Sequence, residues 1–364
     1  MTPPRVEDPG DFTNMELYKL GKIPWEETQL IYHSLALLGR EAFCLVSPDS
    51  PYVCIGYHQD VAQEVDLGFC RENNIPVFRR EVGGGAVFLD GNQLFFQLIL
   101  SRDNPIVPKR IDTFYKKFLQ PVIDVHHRIG IQAEYKPVND LVVGNRKISG
   151  TGAGEIGDCI VFVGNLIIDF DYDTMARVLN IPEEKFRDKV KKSIEENLTT
   201  IRLELGEGFA DRWDENMLND MVVEEFGRLI GPMTISQKDA LLVKKMETLR
   251  KAMMHEDWLH QKGKRVEGRI VKIKSGLELA HKIHKARGGL IRAEFFVEDG
   301  HYRDVSISGD FFYFPKDAVD RLGREIEKAP VDNMPGIVTR FYSETNCELT
   351  GIEIHDWVQV FTPG

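Results

Sequence analysis

The apolar positions of this chain come in short runs whose spacing changes along its length. "WEETQLIYHSLALLG" (25–39) places Ile31, Leu35 and Leu38 at helical spacing, with Pro24 and two acids where a first turn favours them and Gly39 as a stop, which predicts a helix. "AFCLVS" (42–47), "PYVCIG" (51–56) and "IPVFRR" (75–80) are brief apolar runs among proline, glycine and aspartate, and predict strands. "LGFCRENN" (67–74) predicts a short helix between the last two. "QLFFQLIL" (93–100) is apolar and aromatic almost throughout, the pattern of a buried strand. Ile111, Phe114, Phe118, Val122, Val125 and Ile129 then recur near a 3.6-residue period, predicting a long helix kinked at Pro121.

Residues 139–171 alternate short apolar segments with glycine turns. Strands and helices are mixed without a strict β-α-β-α cadence, so the expected fold class is α+β, a mixed β-sheet flanked by helices. Residues 174–250 read as helical and highly charged, and the polar stretch "KKMETLRKAMMHEDWLHQKGKR" (244–265) marks a boundary region. Beyond it, "GGLIRAEFFVEDGHYRDVSISGDFFYFP" (288–315) predicts a hairpin turning at Asp299-Gly300 and then a third strand, and "KDAVDRLGREIEKA" (316–329) a short amphipathic helix. The expected organisation is one domain at 1–245 and a smaller α+β domain at 246–364, since a domain commonly takes about 100–200 residues.

Composition narrows the function. The net charge of -11 argues against a surface built to grip nucleic acid. No run approaches the roughly 18 apolar residues of a membrane span. Residues 1–14 are polar and proline-rich, so the expectation is a cytoplasmic protein with no membrane association. The five cysteines, Cys44, Cys54, Cys70, Cys159 and Cys347, are scattered without a C-x-x-C pair, which speaks against a disulfide framework or zinc site and for buried small hydrophobes. Charge is uneven: residues 262–287 hold nine Lys and Arg against Glu267 and Glu278, either a solvated face or a docking patch for an acidic partner.

Three stretches carry candidate chemistry. In "RREVGGGAVFLDG" (79–91), three consecutive glycines cost backbone order, about 0.5–1 kcal/mol each against alanine in a regular element. They suit either a loop whose N–H groups approach an anion or a tightly packed strand crossing. Arg79 and Arg80 beside them carry forked donors that match phosphate and carboxylate oxygens, which favours the anion site. In "NDLVVGNRKISGTGAG" (139–154), Lys147 could be a solvated turn residue, but small polar neighbours leave room for a ligand, and Asn139 and Asp140 open the preceding strand. In "IGYHQDVAQEVD" (55–66), His58 reads as a turn hydrogen-bonder, with no second metal ligand at a suitable spacing. "GAGEIG" (152–157) spells G-x-G-x-x-G, but strand-like residues follow where a dinucleotide fingerprint must open a helix.

Together these stretches resemble the lipoate–protein ligase family, within the wider group of biotin and lipoate ligases. Their order and separation are similar to that family's Gly-x-x-Gln segment, its Arg-Arg-x-x-Gly-Gly-Gly-Ala-Val-aromatic signature, and its Asn-Asp strand with an Arg-Lys-[Ile/Val]-Ser-Gly loop, over residues 24–168. The second half resembles the family's accessory domain, here fused. The resemblance implies a two-step reaction. ATP and lipoate, or octanoate, give an acyl-AMP and pyrophosphate, and the acyl group then passes to a lysine of a lipoyl carrier, such as a glycine-cleavage H-like protein or a 2-oxoacid dehydrogenase E2 domain.

It further implies that Arg80, Gly83, Gly84, Gly85, Ala86, Val87 and Phe88 line the adenylate and acyl pocket, with Val87 and Phe88 as apolar walls. Asn139 and Asp140 would bind substrate, Asp140 also ordering the site or a Mg2+, and Lys147 would be the catalytic cation at the carboxyl and α-phosphate oxygens. Two positions depart from the family pattern: Leu89 stands where a histidine is common, and Gln97 where a hydroxyl or apolar residue is. The alternatives are an octanoyltransferase of the same fold, whose reactive cysteine would be Cys159, and a non-catalytic binding protein.

Overall fold

The computed structural model describes residues 15–181, 186–206, 208, 212–261, 277–344 and 347–362. Its first portion holds strands β1 (Met15–Ile23), β2 (Ala42–Pro48), β3 (Tyr52–Ile55), β4 (Val77–Arg79), β5 (Val87–Leu89), β6 (Gln93–Ser101), β7 (Glu134–Lys136), β8 (Asp140–Val143), β9 (Arg146–Ser149), β10 (Thr151–Ile156), β11 (Cys159–Ile167) and β12 (Met233–Ile235). Six form a mixed sheet in the order β10-β11-β6-β2-β1-β12. β1 runs parallel to β2 and β12, and the other pairs are antiparallel.

The two-residue period of β6 decides what lies on each face. Leu94, Phe96, Leu98 and Leu100 pack against helices Ile111–Arg128 and Glu215–Ile230. Phe95 and Ile99 pack on the opposite side with Leu30, Ile31 and Leu35 of helix Trp25–Leu37. Over that second face lies a small sheet, β4-β3-β5, which reaches the same core through Tyr52, Cys54, Phe78 and Leu89. The site lies between these two sheets. β7, β8 and β9 form a separate antiparallel meander at its edge.

Sequence patterning finds most of these elements, including helix Ile111–Arg128, with Pro121 inside it. It misses β1 and the three-residue β12, which adds a parallel edge strand inside a region expected to be helical. A division between residues 245 and 246 would cut helix Ala240–Met253, whose Leu242, Met246 and Met253 share the core of helix Trp25–Leu37.

The second portion is built on β13 (Leu277–Ala286), β14 (Gly289–Glu298) and β15 (His301–Gly309), joined antiparallel. Asp299 and Gly300 make the expected tight turn, with φ of +48° and +73°. A third strand after it shrinks to Tyr313–Phe314. Helices Ala318–Ile326, Met334–Glu344 and Ile354–Phe361 accompany this sheet, and the portion has its own core, including Ile291, Phe295, Tyr302, Leu322, Phe341 and Trp357. β13 occupies the end of the basic stretch, where sequence showed charge and no strand. Lys262, Lys264, Arg265, Arg269, Lys272 and Lys274 of that stretch lie outside the described residues. Among the described residues no helix is long and apolar enough to cross a membrane.

Candidate active site

The glycine loop runs between β4 and β5, and both arginines before it point inward. Arg79 is fully buried, and its guanidinium donates to the carbonyls of Gly56, Tyr57 and Gln59 on one side and of Trp258 and Leu259 on the other, at 2.6–3.2 Å. The Trp258 indole N–H returns a bond to the Arg79 carbonyl at 2.9 Å. Burial pulls the Arg79 pKa down to about 10, so the guanidinium keeps its charge at neutral pH. Arg80 donates to the carbonyls of Gly83, Gly85 and Cys54 at 2.7–3.2 Å. The expected anion forks are therefore largely engaged by main-chain carbonyls. Arg80 folds the glycine loop onto itself and lines the site, while Arg79 ties three segments together.

The glycines are needed for close packing. A Cβ on Gly83 would come within 2.7 Å of the Phe311 carbonyl oxygen, and one on Gly84, where φ is +94°, within 2.9 Å of the Phe312 ring and 3.0 Å of Arg80 Nη2. Gly85 meets only ordinary contacts with Asp310. The triplet thus combines the two readings open at the sequence level: it borders a cavity, and it is also a tight crossing that seats aromatic residues from the second portion.

The lysine hairpin forms the opposite wall. β8 and β9 pair antiparallel with Lys147 opposite Val142, and Lys147 Nζ reaches along the hairpin to within 2.6 Å of Asp140 Oδ1. Asn139 Nδ2 donates to the Thr151 carbonyl at 2.7 Å, and Thr151 Oγ1 returns a bond to the Asn139 carbonyl at 2.5 Å. Asn165 anchors the following loop, accepting from Gly150 N–H at 2.8 Å and donating to Gln93 Oε1 at 2.7 Å. Nothing in the spacing of the sequence marked Asn165, which β11 delivers from between β10 and β6 of the main sheet.

Between these walls lies a cavity of about 340 Å3, lined by Arg80, Gly84, Gly85, Val87, Asn139, Asp140 and Lys147 of the expected site. This size falls in the ordinary range for small-molecule sites, about 300–1,000 Å3. Val87, Leu89, Phe95, Val163 and Phe312 supply its apolar lining. Phe88 does not: the alternation of β5 turns its ring away, among Val53, Ile55, Val61 and Cys70, and Ala86 packs on that same cluster. Leu89, where the family commonly has histidine, takes the wall position expected of Phe88. Gly83 is covered by Phe311 and Phe312 and lies outside the lining.

Toward helix Trp25–Leu37 the cavity meets a polar network. Gln29 Nε2 donates to the Tyr52 hydroxyl at 2.7 Å, and the Tyr32 hydroxyl donates to Gln29 Oε1 at 2.9 Å. Gln97 Nε2 donates to the Thr28 carbonyl at 2.6 Å, which fixes the amide's orientation. Cys159 is buried at the end of β11, outside the lining, and burial raises its thiol pKa. Cys54 does line the cavity beside Arg80, but burial raises its thiol as well, which disfavours a thiolate nucleophile.

Among the described residues no three His, Cys, Asp or Glu side chains group as a metal site. Asp140 offers a single carboxylate, which fits Mg2+ held mainly by water and substrate phosphates. His58 is buried, its ring 4.3 Å from Tyr313 and 5.9 Å from Phe311 between centroids, so it joins the two portions by packing.

The fold belongs to a class of solved ligases. A lipoate-bound LipL1 from P. falciparum superposes with a TM-score of 0.67 at 16% identity, covering 92% of this chain and 95% of that one. A bi-partite lipoate protein ligase from Thermoplasma acidophilum, described with its E2 lipoyl domain, gives 0.60 at 22% identity over 70% and 99%. A lipoate-protein ligase A bound with ATP gives 0.55 at 20% over 68% and 98%. In sequence, lipoate–protein ligase 1 of Staphylococcus aureus is 25% identical over 84% of this chain and 83% of its own length, and lipoate-protein ligase LplJ of Bacillus subtilis 29% over 75% and 77%. Residues 24–227 match the lipoyl protein ligase A/B catalytic domain, and the chain belongs to that family.

Proposed function

We propose that the protein is an ATP-dependent lipoate–protein ligase. The observation that carries this reading is a cavity whose lining combines apolar walls with the Lys147–Asp140 pair, in a chain of this family. In the first step a carboxylate oxygen of lipoate or octanoate attacks the α-phosphorus of ATP, and pyrophosphate leaves. In the second the ε-amine of a carrier lysine attacks the acyl carbonyl, AMP leaves and the amine gives up a proton.

Neither step needs a protein nucleophile, so the chain contributes orientation and fixed charge. Val87, Leu89, Phe95, Val163 and Phe312 hold the acyl chain. Lys147, a mobile ammonium, follows negative charge between carboxylate and phosphate, with Asp140 keeping it in place. Asp140 would also hold a Mg2+ arriving on the triphosphate, which when bound would neutralise phosphate charge. A lipoyl domain is the acceptor, with glycine-cleavage H-like and 2-oxoacid dehydrogenase E2 domains as the specific carriers proposed.

We place the catalytic portion through residue 261 and the accessory portion from residue 277, because helix Ala240–Met253 packs with the former. A cytoplasmic location is part of the proposal, and the five free cysteines suit a reducing compartment. The test is exchange of labelled pyrophosphate into ATP. Purified protein should show it only with lipoate or octanoate present, and Lys147→Ala should lower it by at least about a hundredfold while the thermal midpoint holds. No exchange with either acid would remove the ligase reading.

A further inference from the structure

The apolar walls of the cavity give way to polar groups at one end, and strand register shows which end. On β6 and β11 the cavity floor takes Phe95 opposite Asn165 and Gln97 opposite Val163. Asn165 is bonded to Gly150 of the lysine loop, so its row lies at the lysine end. The row of Gln97 and Val163 lies two residues further along the strands, about 6.5 Å. Ile99 and Val161 in the next row are core. Gln97 therefore closes the floor at the end away from the lysine loop.

Gln97 is 2% exposed, and its Nε2 is held by the Thr28 carbonyl at 2.6 Å. A carbonyl only accepts, so this bond leaves Oε1 on the other arm of the amide, where it has no partner. Among the described residues it is the one buried side-chain oxygen or nitrogen of the cavity lining without a partner. The neighbouring hydroxyls do not supply one. Thr28 Oγ1 donates to the Trp25 carbonyl at 2.6 Å, and the Tyr52 hydroxyl, 3.0 Å from Thr28 Oγ1, donates to it in turn. The Tyr32 hydroxyl donates to Gln29 Oε1. Thr28, Tyr32 and Tyr52 have thus spent their hydroxyl hydrogens, and the unmet capacity is for acceptance. A buried acceptor without a partner carries its full desolvation cost, which a ligand donor removes and an all-carbon chain does not.

Resting on the ligase reading above, we propose that Gln97 selects the acid: the site prefers a medium-chain carboxylic acid that carries a hydroxyl or thiol donor on its distal half. The amide pivots on its bond to Thr28 and presents Oε1 to that donor. Dihydrolipoate, the dithiol form of lipoate, has this chemistry, and so does octanoate hydroxylated at its far end. Plain octanoate and the dithiolane ring of lipoate have no donor to offer. An apolar pocket separates such pairs weakly, whereas a site with a buried polar group rejects the analogue that leaves it unpaired.

The test measures pyrophosphate exchange into ATP by the full chain with four acids: octanoate, octanoate hydroxylated on its terminal carbon, lipoate, and dihydrolipoate held reduced by a phosphine. At least one donor-bearing acid should exceed its donorless counterpart in kcat/KM by about tenfold, mainly through KM. Which of the two gains tells an oxygen donor from a sulfur donor. Gln97→Met keeps the length of the side chain without the acceptor, and should erase the difference while exchange with octanoate is retained. Octanoate and lipoate matching or exceeding both donor-bearing acids in the parent protein would overturn the proposal, whether or not the variant folds. An unchanged ranking in Gln97→Met would overturn it as well. Exchange absent with all four acids would instead sink the ligase reading, and this proposal with it.

Discussion

Two pairs of basic residues approach the same cavity, and they differ in what surrounds their charge. Arg79 and Arg80 come from the first portion and are surrounded by carbonyl oxygens of segments 54–59, 83–85 and 258–259. Lys285 and Arg287 come from the second and have none of these partners among the described residues. A guanidinium wrapped in carbonyls still carries its charge, but its donors are unavailable for directed bonds to a substrate. The first pair organises the wall, and the second is free to act across it. Basic residues beside a glycine loop are therefore a guide to location and not, by themselves, to ligand contact.

The contrast can be broken in order of expected effect. Arg79→Ala leaves several buried carbonyls without donors and should destabilise the fold by about 3–5 kcal/mol, read as a shifted urea midpoint. A loss below about 1 kcal/mol would mean that Arg79 is not the tie described.

A pH titration comes next. His33 Nδ1 lies 2.6 Å from the Gln29 carbonyl and donates to it, while Nε2 accepts from Glu81 N–H at 3.1 Å, so the neutral ring holds the start of the glycine loop. Burial lowers its pKa from 6.5 to about 4. The unfolded chain takes up the proton first, so His33 contributes its full stability above about pH 6.5. That contribution falls with pH and is lost by pH 4, amounting to about 3 kcal/mol. Stability measured from pH 7 to 4 should decline less steeply in His33→Gln; an identical slope would contradict this.

Gly84→Ala should cost about 2 kcal/mol and reduce exchange, since the new methyl meets Phe312 where φ is already positive. Wild-type stability would show that the crossing yields easily. The smallest effect closes the comparison: Arg287→Ala should shift stability by less than about 0.5 kcal/mol.

How much of this the sequence carries depends on distance along the chain. The alternation of β6 and the Asp299-Gly300 turn are local, and their patterns are strong. Lys147 and Asp140 stand seven positions apart on neighbouring strands, so one quoted stretch holds both. Phe312 meets Gly84 from more than two hundred positions away, and no local pattern reports that contact. β13 was obscured by its own lysines and histidines, and β12 is too short to show a period. The roles of Arg79 and Arg80 were ambiguous for a chemical reason, since a guanidinium fork matches a carbonyl pair as well as a phosphate.

Phe312 completes a cavity wall that Gly83 and Gly84 are shaped to receive. That wall is whole only while residues 277–362 rest on the remainder. Covalent linkage presents the aromatic side chain at an effective concentration in the millimolar range, so a weak contact suffices to keep the seat filled. Cut into two chains at micromolar concentration, the same pair would need about 4 kcal/mol of additional binding to remain together as often. The fusion therefore relaxes selection on this interface, which can stay adhesive enough to form and loose enough to part.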